Sequence, residues 1–243
     1  MVSTRHHPRD FSSPSNAKAS APSSEGNNKS TKSWVHTPTT AITLWLLISC
    51  PVVLWDTGYV LLRPHSMPGG KWHSPVWSPY ALYATVDYIY GWPALEANNG
   101  FTATQSILNL VETACYLYYL WVVYKYGQAT GNGRDSVKSP RVLSWILNGD
   151  TVVPGRTGAT ALLVVFSASV MTLSKTVLYW LQEALSGFAN IGHNDLWSLV
   201  FLWIIPNGLW LIFPSYNLHV LGEEIVSSLA SAAPRQRGRP KLQ

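Results

Sequence analysis

The stretch Gly100–Tyr126, GFTATQSILNLVETACYLYYLWVVYKY, narrows the folds open to this chain more than any other. It is apolar and aromatic for most of its length, yet Glu112 lies near its middle. Gln105, Asn109, Glu112 and Tyr116 follow one another at helical spacing, which puts them on one face of a helix. The opposite face is Leu, Ile, Val and Tyr. A helix of roughly 20 such residues crosses a bilayer. An ionisable side chain at its midpoint is costly unless it faces a cavity or a partner. Glu112 is therefore expected to line an intramembrane cavity.

Three further stretches have the same character, so the expected fold is an all-α membrane protein, a four-transmembrane-helix bundle. The spans fall at about 40–62, 102–126, 157–185 and 196–221. Only 12% of the 243 residues are charged, against about 25% in soluble domains. In the first span Pro51 should introduce a kink. Asp56 lies near that span's end, and either snorkels toward the headgroups or serves the cavity. Residues 63–99 are rich in Pro, Gly, Trp and Tyr and read as an aromatic cap loop at the membrane interface. Within them, Ser78–Ile89 reads as a short interfacial helix carrying Asp87. Residues 127–156 read as a polar loop. In the third span Thr172, Lys175 and Tyr179 share a face; Lys175 needs an anion, and Glu112 and Glu183 are the candidates. In the fourth, Trp203, Asn207 and Trp210 share a face. Asn207 is either helix–helix glue or a pocket donor.

Residues 1–33 read as a disordered basic tail and 227–243 as a basic C-terminal tail around RQRGRPKLQ. Residues 34–226 form the membrane domain. The formal charge of +5 sits in the tails and one loop, which suits anionic headgroups and not nucleic acid. Four spans put both tails and the basic 127–156 loop on one side. The positive-inside rule makes that side cytosolic. Cys50 and Cys115 lie in apolar stretches and read as free thiols, and no metal-ligand spacing occurs.

Asp56, Gln105, Asn109, Glu112, Lys175, Glu183 and Asn207, with Tyr116, Tyr179, Trp203 and Trp210 among them, describe an aromatic-walled cavity with a few convergent polar groups. Two carboxyl groups in a low dielectric can exchange protons with a bound alkene, and a Trp face attracts a cation. Together they would move a carbon–carbon double bond: one alkene carbon is protonated and a neighbouring one loses a proton. No motif for a redox cofactor, a phosphate loop or a nucleophile elbow is present, so no cofactor is expected.

WDTGYVLLRP in the first span, YALYATVDYIY in the connection, NLVETACYLYYLWVV in the second span, VLYWLQE in the third and NGLWLIFP in the fourth resemble, in order and spacing, the EXPERA family. The likeness covers about residues 41–221 and looks most like the fungal EXPERA-domain proteins. The family includes emopamil-binding protein, a 3-beta-hydroxysteroid Delta8,Delta7-isomerase, and the sigma-2 receptor. The resemblance implies that Glu112 matches a cavity glutamate of both relatives, and that Asn207 and Trp210 match ligand contacts of the isomerase. Asp56 and Asp87 match aspartates of the receptor. The isomerase has a histidine at the place of Asp56, and its second catalytic glutamate falls at Val60. Two functions follow as expectations. One is an isomerase of a sterol or related polycyclic terpenoid in the endoplasmic reticulum membrane, with Glu112 and Asp56 as proton donor and acceptor, Asn207 positioning substrate, and Trp210 and Trp203 lining the cation. The other is a non-catalytic sterol- or lipid-binding regulator in which Asp56 and Glu112 hold a ligand. The expected partners are the small molecule and the lipid bilayer, with a homodimer left open.

Overall fold

Four long apolar helices carry the structure, a computed structural model that describes residues 34–129 and 151–232. All of these belong to one unit of the chain, Ser33–Gln243. The first helix, α1, is Thr40–Leu61, 22 residues with Pro51 inside it. At ~1.5 Å per residue it is about 33 Å long, enough to cross a hydrocarbon core of about 30 Å. Two short helices follow in the aromatic connection: α2 (Tyr80–Val86) and α3 (Trp92–Glu96), with a 3-10 turn at Tyr88–Tyr90 between them. Then come α4 (Phe101–Tyr126) and α5 (Gly155–Leu185). The last helix, α6 (Leu196–Ala232), contains a π stretch at Leu199–Ile204. All four long helices are apolar enough to cross a membrane. Helix α6 runs past the expected end of its span at 221, because Gly222 to Ala232 contains no proline and Glu224 is tied to the N-terminal side of the molecule. The expected tail 1–33, residues 130–150 of the polar loop and the end of the C-terminal tail lie outside the described residues.

One feature departs from the all-α expectation. Val35–His36 (β1), Gln128–Ala129 (β2) and Thr151–Pro154 (β3) form a small antiparallel sheet in the order β1-β3-β2. His36 pairs with Val153, and Ala129 with Thr151. The run Thr151–Val153 is β-branched throughout, which suits a pleated, half-buried position.

The helices pack in sequence, α1 on α4, α4 on α5 and α5 on α6, while α1 and α6 touch only slightly. Near the chain termini the interior is filled. Ile42 and Leu46 of α1, Tyr119 and Val122 of α4, Ala161 and Val165 of α5 and Leu221 of α6 are buried together. Trp45 stacks on Phe213 at 4.1 Å and meets Trp210 edge-on at 5.3 Å, which closes α1 against α6. Outward, Ile48, Ile107, Val111, Leu163, Leu178 and Ile212 are exposed. Apolar side chains around the whole helix circumference suit a lipid surround, where each helix satisfies its own backbone groups.

Candidate functional site

Beyond the Trp45–Trp210–Phe213 contact the bundle opens into a cavity of about 470 Å³, within the range of roughly 300–1,000 Å³ usual for small-molecule sites. Helix α1 supplies Val52, Trp55 and Asp56 to its wall, α4 supplies Gln105 and Asn109, and α5 supplies Lys175, Thr176 and Tyr179. Helix α6 supplies Leu202, Pro206, Asn207 and Trp210. The aromatic connection closes the wall with Pro79, Tyr80, Tyr83 and Tyr90. The sequence pattern placed these tyrosines at the membrane interface, Tyr80 and Tyr83 within the expected Ser78–Ile89 helix and Tyr90 just past it.

Asp56 is the one carboxylate among the described residues of this wall. Its Oδ1 accepts a hydrogen bond from Tyr80 Oη. Tyr80 is itself fixed by stacking on Tyr59, with centroids 3.7 Å apart and planes 9° off parallel. Burial, with Asp56 close by, pushes the Tyr80 phenol far above its usual range, and burial does the same for Tyr83 and Tyr90. All three stay protonated and can only present O–H groups to a ligand or a carboxylate. Asp56 is thus held within the cavity and does not snorkel.

Lys175 faces the same cavity from the helix diagonally across the bundle. Its Nζ donates to Asn109 Oδ1 and to Glu112 Oε2, the latter at 2.9 Å. Of the two anions expected for Lys175, the structure selects Glu112. Glu183 is fully buried elsewhere and accepts from Asn190 Nδ2 at 2.5 Å. Glu112 itself departs from expectation. It lies behind Lys175 and Asn109 and borders a separate recess of about 10 Å³ with Ser49, Cys50, Tyr116 and Thr172. Tyr116 and Glu112 are both bonded to Thr172 Oγ1 at 2.8 Å. The face shared by Asn109, Glu112 and Tyr116 is real. One helical turn toward the termini, however, the packed core replaces the cavity, so Glu112 and Tyr116 meet neighbouring side chains there.

Asn207 and Trp210 line the cavity, and Asn207 Nδ2 donates to the Trp203 carbonyl at 2.9 Å and lies 3.4 Å from Tyr83 Oη. Trp203 does not line it. The π stretch ends just before Pro206, whose ring would strike the carbonyl of residue 202 at normal α-helical pitch. The wider turn shifts the helical phase, and Trp203 is buried away from the cavity against Trp180, 4.6 Å away. There its Nε1 donates to Asp87 Oδ2 at 2.9 Å. Asp87 is fully buried, also accepts from Tyr179 Oη and, at 3.2 Å, from the Ile89 amide, and does not line the cavity. It holds Tyr179, which does. Burial pushes the Asp87 carboxyl up to about 6 against the pull of the Tyr179 and Trp203 hydrogen bonds. Val60 is packed among Tyr59, Met67 and Tyr80 and is also off the wall.

Another polar cluster went unseen in the sequence. His36 is fully buried; its Nδ1 lies 2.9 Å from Glu224 Oε1 and its Nε2 lies 3.0 Å from Tyr119 Oη. It joins β1, α4 and α6 at the end of the bundle away from the cavity. Partners 188 positions apart leave no local pattern to read.

The fold and site define a four-helix membrane-type bundle with a mostly apolar cavity whose described lining carries one carboxylate, Asp56, and one ammonium, Lys175. No family model, curated protein or solved structure matches this chain.

Proposed function

We propose that this protein is an intramembrane isomerase that moves a carbon–carbon double bond in a sterol or related polycyclic terpenoid, and that it is a divergent member of the EXPERA family. The observation that supports the reading is Asp56: a carboxylate oriented by Tyr80 on the wall of an aromatic cavity of about 470 Å³. A ligand that is rigid and apolar fills such a cavity, and a carboxyl group beside it can carry a proton from one ring carbon to another. Removing a proton at one carbon and adding one at another shifts the double bond without change in composition, and needs no cofactor. On this reading the aromatic connection 63–99 caps the cavity on the side opposite the termini. The ligand arrives from the bilayer where α1 and α6 diverge. The protein resides in the endoplasmic reticulum membrane with both termini cytosolic, as the basic tails favour.

A second reading is a sterol- or lipid-binding regulator, favoured by the engagement of Glu112 with Lys175, which leaves Asp56 as the one carboxylate on the wall. One experiment separates the two. The purified full chain in nanodiscs is incubated in D2O with a Delta8 sterol and, separately, with a steroid β,γ-unsaturated ketone. Isomerised product, with or without deuterium and lost in Asp56→Asn, is the expected result. Saturable binding of both compounds with no isomerised product would replace the isomerase reading by the second.

A further inference from the structure

The ammonium of Lys175 has three N–H donors. Two are engaged, by Asn109 Oδ1 and Glu112 Oε2. The third has no acceptor among the described residues, and Lys175 is the one cation among the described residues that line the cavity. Glu112 lies behind it, so the pair is a dipole whose positive end is turned to the ligand. A carbocation forming beside Lys175 is repelled by its ammonium, and an oxyanion there is attracted to it and hydrogen-bonded by the free N–H.

We infer that the substrate is a polycyclic β,γ-unsaturated ketone whose carbonyl oxygen sits on Lys175, and that the double bond moves into conjugation through a dienolate held by that ammonium. The inference rests on the isomerase reading above and specifies its substrate. Asp56 removes a proton from the carbon between carbonyl and alkene. The electron pair of that C–H bond forms the dienolate, whose oxygen accepts from Lys175 Nζ. The proton, now on Asp56, is returned to the γ-carbon, the carbonyl re-forms, and the double bond lies one position closer to it. Atoms and electrons balance, and neither an oxidant nor a reductant is required. Asn109 and Glu112 act through Lys175 as positioning residues. They spend two of its donors and fix the direction of the third.

The test uses the full chain in nanodiscs with androst-5-ene-3,17-dione, followed by the ultraviolet absorbance of the conjugated enone, and a Delta8 sterol lacking a ketone as the comparison. Lys175→Met leaves Glu112 buried without a counter-charge, so the double variant Lys175→Met/Glu112→Gln, which buries no unpaired charge, is measured beside it. The expected result is conversion of the ketone, with kcat falling about 100-fold in the double variant, the loss typical of a removed oxyanion donor, and with steroid binding retained. The phenolic steroid equilenin, a dienolate mimic, is expected to bind the unaltered protein as phenolate and the double variant as phenol, read from its fluorescence. Isomerisation of the Delta8 sterol but not of the ketone would overturn the inference and leave the isomerase reading in place. Ketone turnover unchanged in the folded double variant would overturn it as well. Turnover of neither compound would remove both.

Discussion

Glu112 and Lys175 show how far a charged residue in an apolar helix can be read. Each stands out in the sequence because burying a lone charge is costly. Their pairing does not, since Glu112 and Glu183 were equally available to Lys175 until the packing of α4 on α5 brought one of them to 2.9 Å. The side chains of the pair are only 4% and 11% exposed, so removing either leaves its partner stranded. Glu112→Gln and Lys175→Met are each expected to cost about 3–5 kcal/mol, and the double variant much less. Thermal melts of all three in one detergent check this; equal and additive losses would show that the pair is not coupled. Asp87 makes a second case, this one outside the spans. Its carboxyl has a folded pKa of about 6 against 3.8 unperturbed, because burial disfavours its charged form. The folded state therefore holds a proton that the unfolded state releases. The stabilisation is complete below pH about 4 and is lost as pH rises through about 6, a change of about 3 kcal/mol. Asp87→Asn should lower stability at low pH, since an amide nitrogen cannot accept from Trp203 and Tyr179, and should flatten the dependence between pH 4 and 7. A variant as pH-dependent as the parent would count against this assignment.

At the level of elements, the four spans were legible because length and apolarity suffice to mark a membrane helix, and the structure has four helices that meet both conditions. Two local features were not. The π stretch at Leu199–Ile204 breaks the i, i+4, i+7 register that would place Trp203 beside Asn207 and Trp210. Pro206 was visible in the sequence, but a proline allows a kink, a π turn or a break alike, and the neighbouring helices decide which occurs. The sheet of β1, β2 and β3 was also missed, since strands of two to four residues are too short to show a periodicity. Its functional weight lies in His36, which fastens β1 to α4 and α6 through Tyr119 and Glu224. His36→Ala should cost about 1–3 kcal/mol by leaving buried polar groups without partners. Because the clamp sits in the packed half of the bundle and the cavity in the other, turnover by the folded protein should be unchanged. Melting curves and initial rates measured on the same preparations check both halves of this prediction. A fall in rate without a fall in melting temperature would tie the clamp to the site.

For the molecule as a whole, the division into a filled half and a hollow half explains why the candidate site was only partly readable. Helical periodicity tells which residues share a face, and Asp56, Asn109, Lys175, Tyr179, Asn207 and Trp210 do reach one cavity. It does not tell at what depth along the bundle the interior is empty, and that depth separates Asn109 from Glu112 one turn away. The hollow half lies beside the aromatic connection 63–99, away from the termini, so the proposed orientation puts the cavity toward the lumen and the basic tails in the cytosol. The chain carries its own reporter of this arrangement. Asn28-Lys29-Ser30 in the N-terminal tail is a glycan acceptor sequence, and acceptors are modified only on the lumenal side. The parent chain expressed in a eukaryotic cell should therefore carry no glycan. A second acceptor, Asn-Gly-Thr, inserted between Pro68 and Gly69 in the connection, should add one that endoglycosidase removes. Pro68 and Gly69 are both exposed, and a side chain at Gly69 would meet nothing within 4 Å. Modification of Asn28 with none at the inserted site would reverse the orientation and place the cavity on the cytosolic side of the membrane.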